Sequence, residues 1–250
     1  MTYCLGMLLD AGLVLMADTR TNAGVDNFST FRKLHVLLDE PGREVYAATA
    51  GNLSLSQSAI GFLNERKRQR GSAANSRSLD KAENMFRVAQ IVGETVEKVG
   101  ATIGAALARE HIDNSIEMLV GGRIGDGPIK LFLVYTIGNF IECTPDVPFL
   151  QIGETKYGRP ILDRALGYGT SLAEAAKIGL LSFDSTMESN LGVAQPIDLI
   201  VMPKDPAKSS FKHRIEEEDS YFLETKRRWA RILNDGVTSL PDPPWLTQLP

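Results

Sequence analysis

The chain has 250 residues, of which 43% are hydrophobic and 23% are charged, proportions that are ordinary for a folded globular protein. This length allows one large domain or two small ones, with ample material for a core. The formal net charge of -4 gives no reason to expect a nucleic-acid partner or binding to an anionic membrane.

Cysteine and histidine are too few and too scattered to indicate a disulfide framework or a metal site. The residues concerned are Cys4, Cys143, His35, His111 and His213. No apolar stretch reaches the roughly 20 residues that a membrane span needs. The N-terminus also lacks the basic segment of a signal peptide. We therefore expect a cytoplasmic protein without a metal.

The first half of the chain predicts strands followed by helices. Two apolar runs joined by a turn at residues 10–12 indicate a β-hairpin, and a third strand follows. These strands are Tyr3–Leu9, Leu13–Ala17 and Glu44–Thr49. Ser54 and Gln57 have the spacing of a capping box, which predicts a helix through about Arg70. After a small polar linker, apolar spacing predicts a long helix from Leu79 to about Glu110.

The second half repeats the order of strands and then helices. Its predicted strands are Glu117–Arg123, Ile129–Thr136, Phe140–Glu142 and Phe149–Ile152, then Ile197–Met202 after two helices near Tyr157–Leu166 and Leu172–Ser182. Blocks of strands and helices in this order favour stacked sheets with helices outside over a βαβ-wound parallel sheet. We predict one domain over residues 1–203.

Residues 204–250 differ in character from the rest and form a predicted C-terminal extension. Tyr221–Leu233 has helical spacing, with Phe222 and Trp229 near one side. An appendage that cannot bury this apolar surface alone must pack on its own body or on a neighbouring subunit. We expect one of these two arrangements.

Thr2 follows the initiator methionine directly, and removal of Met1 is favoured by a small second residue. The product has a hydroxyl and a free α-amine on the same residue. A threonine hydroxyl is a poor nucleophile without an adjacent base, and the terminal amine can serve as that base. Its ordinary pKa near 7.7–8.0 lies close to working pH, and a nearby lysine would lower that pKa further.

Three other residues support this interpretation. A hairpin returns Asp18 to the neighbourhood of Thr2, and an ion pair with Asp18 would keep Lys33 charged. Gly51 ends the third predicted strand, where a backbone N–H can stabilise an oxyanion. The four residues together predict a nucleophilic centre.

These motifs resemble the signature of the proteasome β-subunit superfamily, and most of all its bacterial branch Anbu, the ancestral β-subunit. The matching segments are T-x-x-x-G near the start, G-L-V-L-M-A-D-T-R-T-N-A-G, F-R-K-L, A-T-A-G-N and the late strand P-I-D-L-I-V. The resemblance implies an α+β fold, the four-layer αββα sandwich of N-terminal nucleophile hydrolases. It also implies a large homo-oligomer, closed or spiral, that acts on a peptide or amide substrate without a cofactor.

Carried over residue by residue, the resemblance implies Thr2 as nucleophile, Asp18 and Lys33 as its activating pair, and Gly51 as an oxyanion donor. Substrate contacts would come from Thr21, Phe31, His35, Thr49 and Leu53. The residues that would support the amine of Thr2 match the family pattern less well. Asp184 is present with Ser185 or Ser189, but Met187 and Glu154 stand where the family has serine.

Two other functions remain open at this stage. One is a non-catalytic ring scaffold, like the proteasome α-subunits, which carry an extension before the first strand. Here the first predicted strand begins at Tyr3, which counts against a scaffold. The other is an amidohydrolase of a small molecule or a modified peptide, which would use the same catalytic centre.

Overall fold

The computed structural model describes residues 1–22, 28–68 and 78–246. The strands are β1 (Tyr3–Leu9), β2 (Gly12–Asp18), β3 (Arg20–Asn22), β4 (Phe28–Thr30), β5 (Leu34–Glu40), β6 (Arg43–Gly51), β7 (Ile116–Ile124), β8 (Lys130–Val134), β9 (Phe140–Glu142), β10 (Phe149–Gly153), β11 (Ile197–Pro203) and β12 (Phe211–Ile215). The helices are α1 (Leu53–Arg68), α2 (Met85–Val99), α3 (Ala105–Arg109), α4 (Arg159–Ala165), α5 (Leu172–Ser189) and α6 (Ser220–Ser239).

Two five-stranded antiparallel sheets form the centre of the protein. The first sheet has the order β10-β1-β2-β11-β12, and the second has the order β5-β6-β7-β8-β9. β3 and β4 form a separate two-stranded ribbon. The β1–β2 hairpin predicted from the sequence lies in the middle of the first sheet, with Cys4 opposite Ala17.

The sheets stack face to face between two layers of helices. One core lies between the sheets and includes Leu15 of β2 and Leu119 of β7. A second core joins β5–β8 to α1 and α2, through residues such as Val45 and Val92. On the far side α5 packs closely on the first sheet, since a Cβ added at Gly179 would lie 2.5 Å from Sδ of Met16. The predicted αββα sandwich is confirmed.

Several predicted helix limits were wrong for identifiable reasons. α1 is capped by Asn52, whose Oδ1 accepts from the amides of Ser54 and Leu55, so the capping box predicted at Ser54 does not start it. The long helix predicted from Leu79 is interrupted, because Asn84 caps a new helix, α2. α2 then continues through the π-helical turn Gly100–Gly104 into α3. The end of the first predicted helix, at residues 69–70, lies outside the described residues.

By its internal contacts the chain divides into two compact units, Met1–Glu216 and Glu217–Pro250. β12 belongs to the first unit and pairs with β11, although its residues lie in the predicted extension. α6 belongs to the second unit and is capped by Asp219, whose side chain accepts from the amide of Phe222. In the ranges that the structure describes, no helix is long and apolar enough to cross a membrane.

Candidate active site

Thr2 lies immediately before β1, beside the end of β10. Its carbonyl oxygen accepts a hydrogen bond of 2.7 Å from the amide of Glu154. Gly153 allows this approach, because a Cβ at its positive φ of 81° would lie 2.1 Å from the same carbonyl oxygen. The residue preceding β1 is therefore held against the residue that follows β10.

Asp18 ends β2 and is completely buried. Its Oδ1 accepts from the amide of Tyr3 at 2.9 Å and from Nζ of Lys33 at 2.8 Å. Burial raises the pKa of the Asp18 carboxyl, while the Lys33 ammonium and the Tyr3 amide act in the opposite direction. Since the Tyr3 amide belongs to the peptide bond after Thr2, the ion pair lies one peptide group from the predicted nucleophile.

Lys33 reaches this carboxylate from the segment just before β5. The residue is 4% exposed, and its ammonium also donates to the carbonyl oxygen of Arg20 at 2.5 Å. An ammonium has three N–H groups, and these two acceptors occupy two of them. A cation buried with a carboxylate and a carbonyl is held in one position.

Gly51 ends β6 with its backbone in a conformation that favours glycine, at a φ of 98°. The amide of Thr49 donates to the carbonyl of Lys33 on the β5 side, whereas the amide of Asn52 donates to Ser115 on the β7 side. Because backbone N–H groups alternate along a strand, the Gly51 amide points to the β5 side. In the register that pairs Leu34 with Ala48, Gly51 lies beyond the start of β5.

The resemblance noted above implies amide hydrolysis with Gly51 as an oxyanion donor, and on that expectation Gly51→Ala lowers the rate by about 10²-fold, the usual effect of losing one such donor. The added Cβ would lie 2.4 Å from the carbonyl oxygen of Ser115, so the Gly51 peptide must move. Steady-state kinetics on a fluorogenic peptide amide measure this change. Gly42→Ala is the matched control, since Gly42 also has a positive φ but no atom within 4 Å of the added Cβ. Equal rates for the two variants would contradict the role of Gly51.

The predicted substrate-contacting residues fall into two groups. His35 lies opposite Ala47 in the pairing of β5 with β6, so its side chain is on the same face of the second sheet as that of Thr49, two residues after Ala47. That face packs on α1, whose first residue is Leu53. Burial, and then the charge of Arg32, lower the pKa of His35, and the carboxylate of Asp198 opposes them. The second group consists of Thr21, on β3, and Phe31. The amide of Phe31 donates to the carbonyl oxygen of Thr19.

Asp184 and Ser185, which were predicted to support the amine of Thr2, lie on α5. This helix packs against β1 next to Thr2. The Tyr3 ring packs 4.5 Å from that of Phe183, and the Tyr3 hydroxyl bonds to Oγ of Ser182 at 2.6 Å. Burial raises the pKa of Tyr3 to about 12, so this hydroxyl stays protonated. Asp184 is buried in the same helix, and its role and that of Ser185 remain predictions.

The turn that follows α5 was not predicted to belong to the site. Asn190 donates from Nδ2 to Oε2 of Glu154 at 2.9 Å and accepts at Oδ1 from the amide of Gly192, also at 2.9 Å. A Cβ added at Gly192 would lie 2.7 Å from Cβ of Met1. The segment Asn-Leu-Gly does indicate a turn. Nothing in the one-dimensional pattern indicates that this turn meets the N-terminus.

Within residues 1–22, 28–68 and 78–246, no group of three or more His, Cys, Asp or Glu residues is arranged to hold a metal ion. Neither a protein-family model nor a curated protein matches the chain.

Solved structures do resemble this one over nearly its whole length. Anbu (ancestral beta-subunit) from Yersinia bercovieri is 38% identical, with a TM-score of 0.88 and coverage of 96% of this chain and 98% of that chain. The chain belongs to the Anbu family. Anbu in the helical assembly of the Anbu complex from Pseudomonas aeruginosa is 44% identical, with a TM-score of 0.89 and coverage of 97% and 98%. An Anbu (Gly-1) mutant from Hyphomicrobium sp. strain MC1 is 39% identical, with a TM-score of 0.89 and coverage of 97% and 99%.

Membership of the Anbu family confirms the resemblance inferred from the sequence motifs, and with it the proteasome β-subunit-like fold. In this Anbu chain the motif residues Asp18 and Lys33 form a buried ion pair next to Thr2.

Proposed function

We propose that this Anbu chain is a threonine-type N-terminal nucleophile hydrolase that cleaves a peptide or amide bond. The observation that carries the proposal is the buried pair of Lys33 and Asp18, hydrogen-bonded to the amide of Tyr3. A buried ion pair is weak support for stability alone, because desolvation offsets much of the attraction between the charges. Its position one peptide group from a hydroxyl nucleophile supports a catalytic use.

The reaction proceeds through an acyl-enzyme ester on Thr2. The α-amine of Thr2, directly or through a water molecule, takes the proton of the hydroxyl as Oγ attacks the substrate carbonyl. The positive charge of Lys33 stabilises the developing negative charge, and Asp18 orients Lys33. The amide of Gly51 donates to the oxyanion. The protonated amine then supplies the leaving group with its proton, and water hydrolyses the ester.

The mechanism requires removal of Met1. While Met1 is attached, the nitrogen of Thr2 belongs to a peptide bond and has no basic lone pair. Met1 is 62% exposed, which makes it accessible to an aminopeptidase. The chain with Met1 is therefore an inactive precursor in this proposal.

Self-association belongs to the same proposal. A relative from Pseudomonas aeruginosa that is 44% identical forms a helical assembly, and a homo-oligomeric ring or spiral is expected for this chain. The predicted extension also has exposed apolar side chains that an assembly would cover. They are Ile232, Leu233, Val237, Leu240 and Trp245.

Intact mass before and after treatment with a peptide epoxyketone tests the function. This reagent reacts with both the amine and the hydroxyl of an N-terminal threonine. We expect a subunit mass without Met1 and one adduct per subunit, and no adduct on Thr2→Ala. A chain that retains Met1 and forms no adduct would favour the non-catalytic scaffold. Adduct formation without cleavage of peptide amides would instead favour the amidohydrolase of a small substrate.

A further inference from the structure

We infer that Glu154 binds the α-amine of Thr2, and that Asn190 is a positioning residue that holds the Glu154 carboxylate in place. This inference rests on the proposed function, since the amine exists only after Met1 is removed. It gives a role to a residue that differs from the serine of the family pattern. It also adds Asn190, which no sequence motif indicated.

Glu154 is attached to the N-terminus through its backbone. Its amide donates to the carbonyl oxygen of Thr2 at 2.7 Å, one residue beyond the pairing of Gly153 with Tyr3. Backbone contact of this kind sets the position of Glu154 relative to Thr2 irrespective of its side chain. The side chain then has a short and defined path to the amine.

The Glu154 side chain is itself oriented by the turn after α5. Asn190 donates to Oε2 of Glu154, and the opposite end of the Asn190 amide is fixed by the amide of Gly192. With its oxygen committed to Gly192, the Asn190 side chain can present only its NH₂ group to the carboxylate. The second carboxylate oxygen, Oε1, is left for another donor.

The same turn lies beside the N-terminus. The position that a Cβ would occupy on Gly192 is 2.7 Å from Cβ of Met1 and 3.1 Å from Oδ1 of Asn190. Cβ of Met1 is three bonds from the nitrogen of Thr2. When Met1 leaves, the new ammonium is therefore exposed close to the pair formed by Glu154 and Asn190.

Charge also favours this contact. The charged residues on elements near Thr2 include Asp18 on β2, Arg20 on β3, Lys33 before β5, Glu154 after β10, and Asp184 and Glu188 on α5. Asp18 is paired with the ammonium of Lys33, whereas Glu154 is half-buried and its side-chain partner is the neutral amide of Asn190. A partly buried carboxylate with a neutral partner attracts a cation, and the Thr2 ammonium supplies one.

The consequence concerns the pH at which the base becomes available. A carboxylate beside the ammonium of Thr2 favours its charged form and raises the pKa of the amine, whereas the positive charge of Lys33 lowers that pKa. Glu154→Gln removes that negative charge and keeps the shape. We expect the apparent pKa of the Thr2 amine to fall by about one unit in this variant. The acid limb of the pH–rate profile should move to lower pH by the same amount.

The test uses the full chain beginning at Thr2, produced from a fusion that a protease cuts before Thr2. The rate at which an acylating reagent modifies the Thr2 amine is followed across neutral and alkaline pH by the mass of the N-terminal peptide. Glu154→Asp keeps the charge and should retain most of the raised pKa. Asp39→Asn is the control, because it removes one carboxylate charge at the end of β5 away from Lys33, where Asp39 pairs with Lys212, and should leave the titration unchanged.

An unchanged amine pKa in a folded Glu154→Gln variant would overturn the inference, since a purely structural role alters melting temperature without altering the titration. If Glu154→Gln does not fold, Asn190→Ala tests the same contact, and its amine pKa should fall by a smaller amount. An unchanged pKa of the Thr2 amine in Asn190→Ala would also overturn the inference. The titration of the Thr2 amine is measured by chemical modification, so it does not depend on catalytic activity. A shifted pKa in a chain inert to the epoxyketone would contradict the proposed function alone.

Discussion

Thr2→Ala should reduce amide hydrolysis by about 10⁴-fold or more, the scale on which loss of a nucleophile acts in hydrolases. Alanine is also a small second residue, so Met1 is still removed and the α-amine is still exposed. The variant therefore differs from the active chain in the hydroxyl and one methyl group. Initial rates on fluorogenic peptide amides, with the epoxyketone adduct as a second readout, measure the loss.

Thr2→Ser is the informative control, because it restores a hydroxyl next to the same amine. It should regain adduct formation and a substantial part of the rate. The fold should survive both changes, since the contacts of residue 2 to Glu154 and Gly153 are made by its backbone. Hydrolysis by Thr2→Ala at the rate of the unaltered chain would refute the mechanism.

Lys33→Ala should have two large effects. It leaves the Asp18 carboxylate buried without its cation, which costs about 3–5 kcal/mol of unfolding free energy. It also removes the charge beside the nucleophile, which should lower the rate by about 10²–10³-fold. Chemical denaturation measures the first effect, and kinetics under conditions where the variant remains folded measure the second.

A double variant separates these two effects. Asp18→Asn together with Lys33→Met replaces both charges by neutral groups of similar size, and such replacement of a buried pair is often neutral for stability. The double variant should therefore recover most of the lost unfolding free energy and none of the lost rate. If it regained activity together with stability, the pair would be structural and its assigned role in catalysis would be wrong.

Strands were predicted well wherever burial followed a simple pattern. β1 and β2 are buried at every position, and their predicted limits agree closely with the structure. β5 was missed because its pairing with β6 shifts register between Val36 and Leu38, and the adjacent residues Leu37 and Leu38 are both buried. Such an irregularity breaks the alternation that indicates a strand. β12 was missed because it is an edge strand with mostly exposed side chains.

Helix limits depended on tertiary contacts. α5 was predicted to end near Ser182, yet it continues to Ser189. Ser182 is buried with partners in Tyr3 and in the carbonyl of Gly158, and the hydroxyl of Thr186 donates to the carbonyl of Ser182. Polar residues that find partners of this kind remain inside a helix. The local sequence around Ser182 does not indicate that Tyr3 and Gly158 will be its partners.

The inner part of the candidate site could be derived from the sequence because hairpin geometry is local. Once β1 and β2 pair, Asp18 must return beside Tyr3, and Thr2 with it. Which residues surround the amine of Thr2 was decided by tertiary structure. Glu154 and Asn190 are 36 positions apart and meet because α5 packs on the first sheet and ends beside the N-terminus. Contacts over such separations arise from the packing of layers, which local residue patterns do not encode.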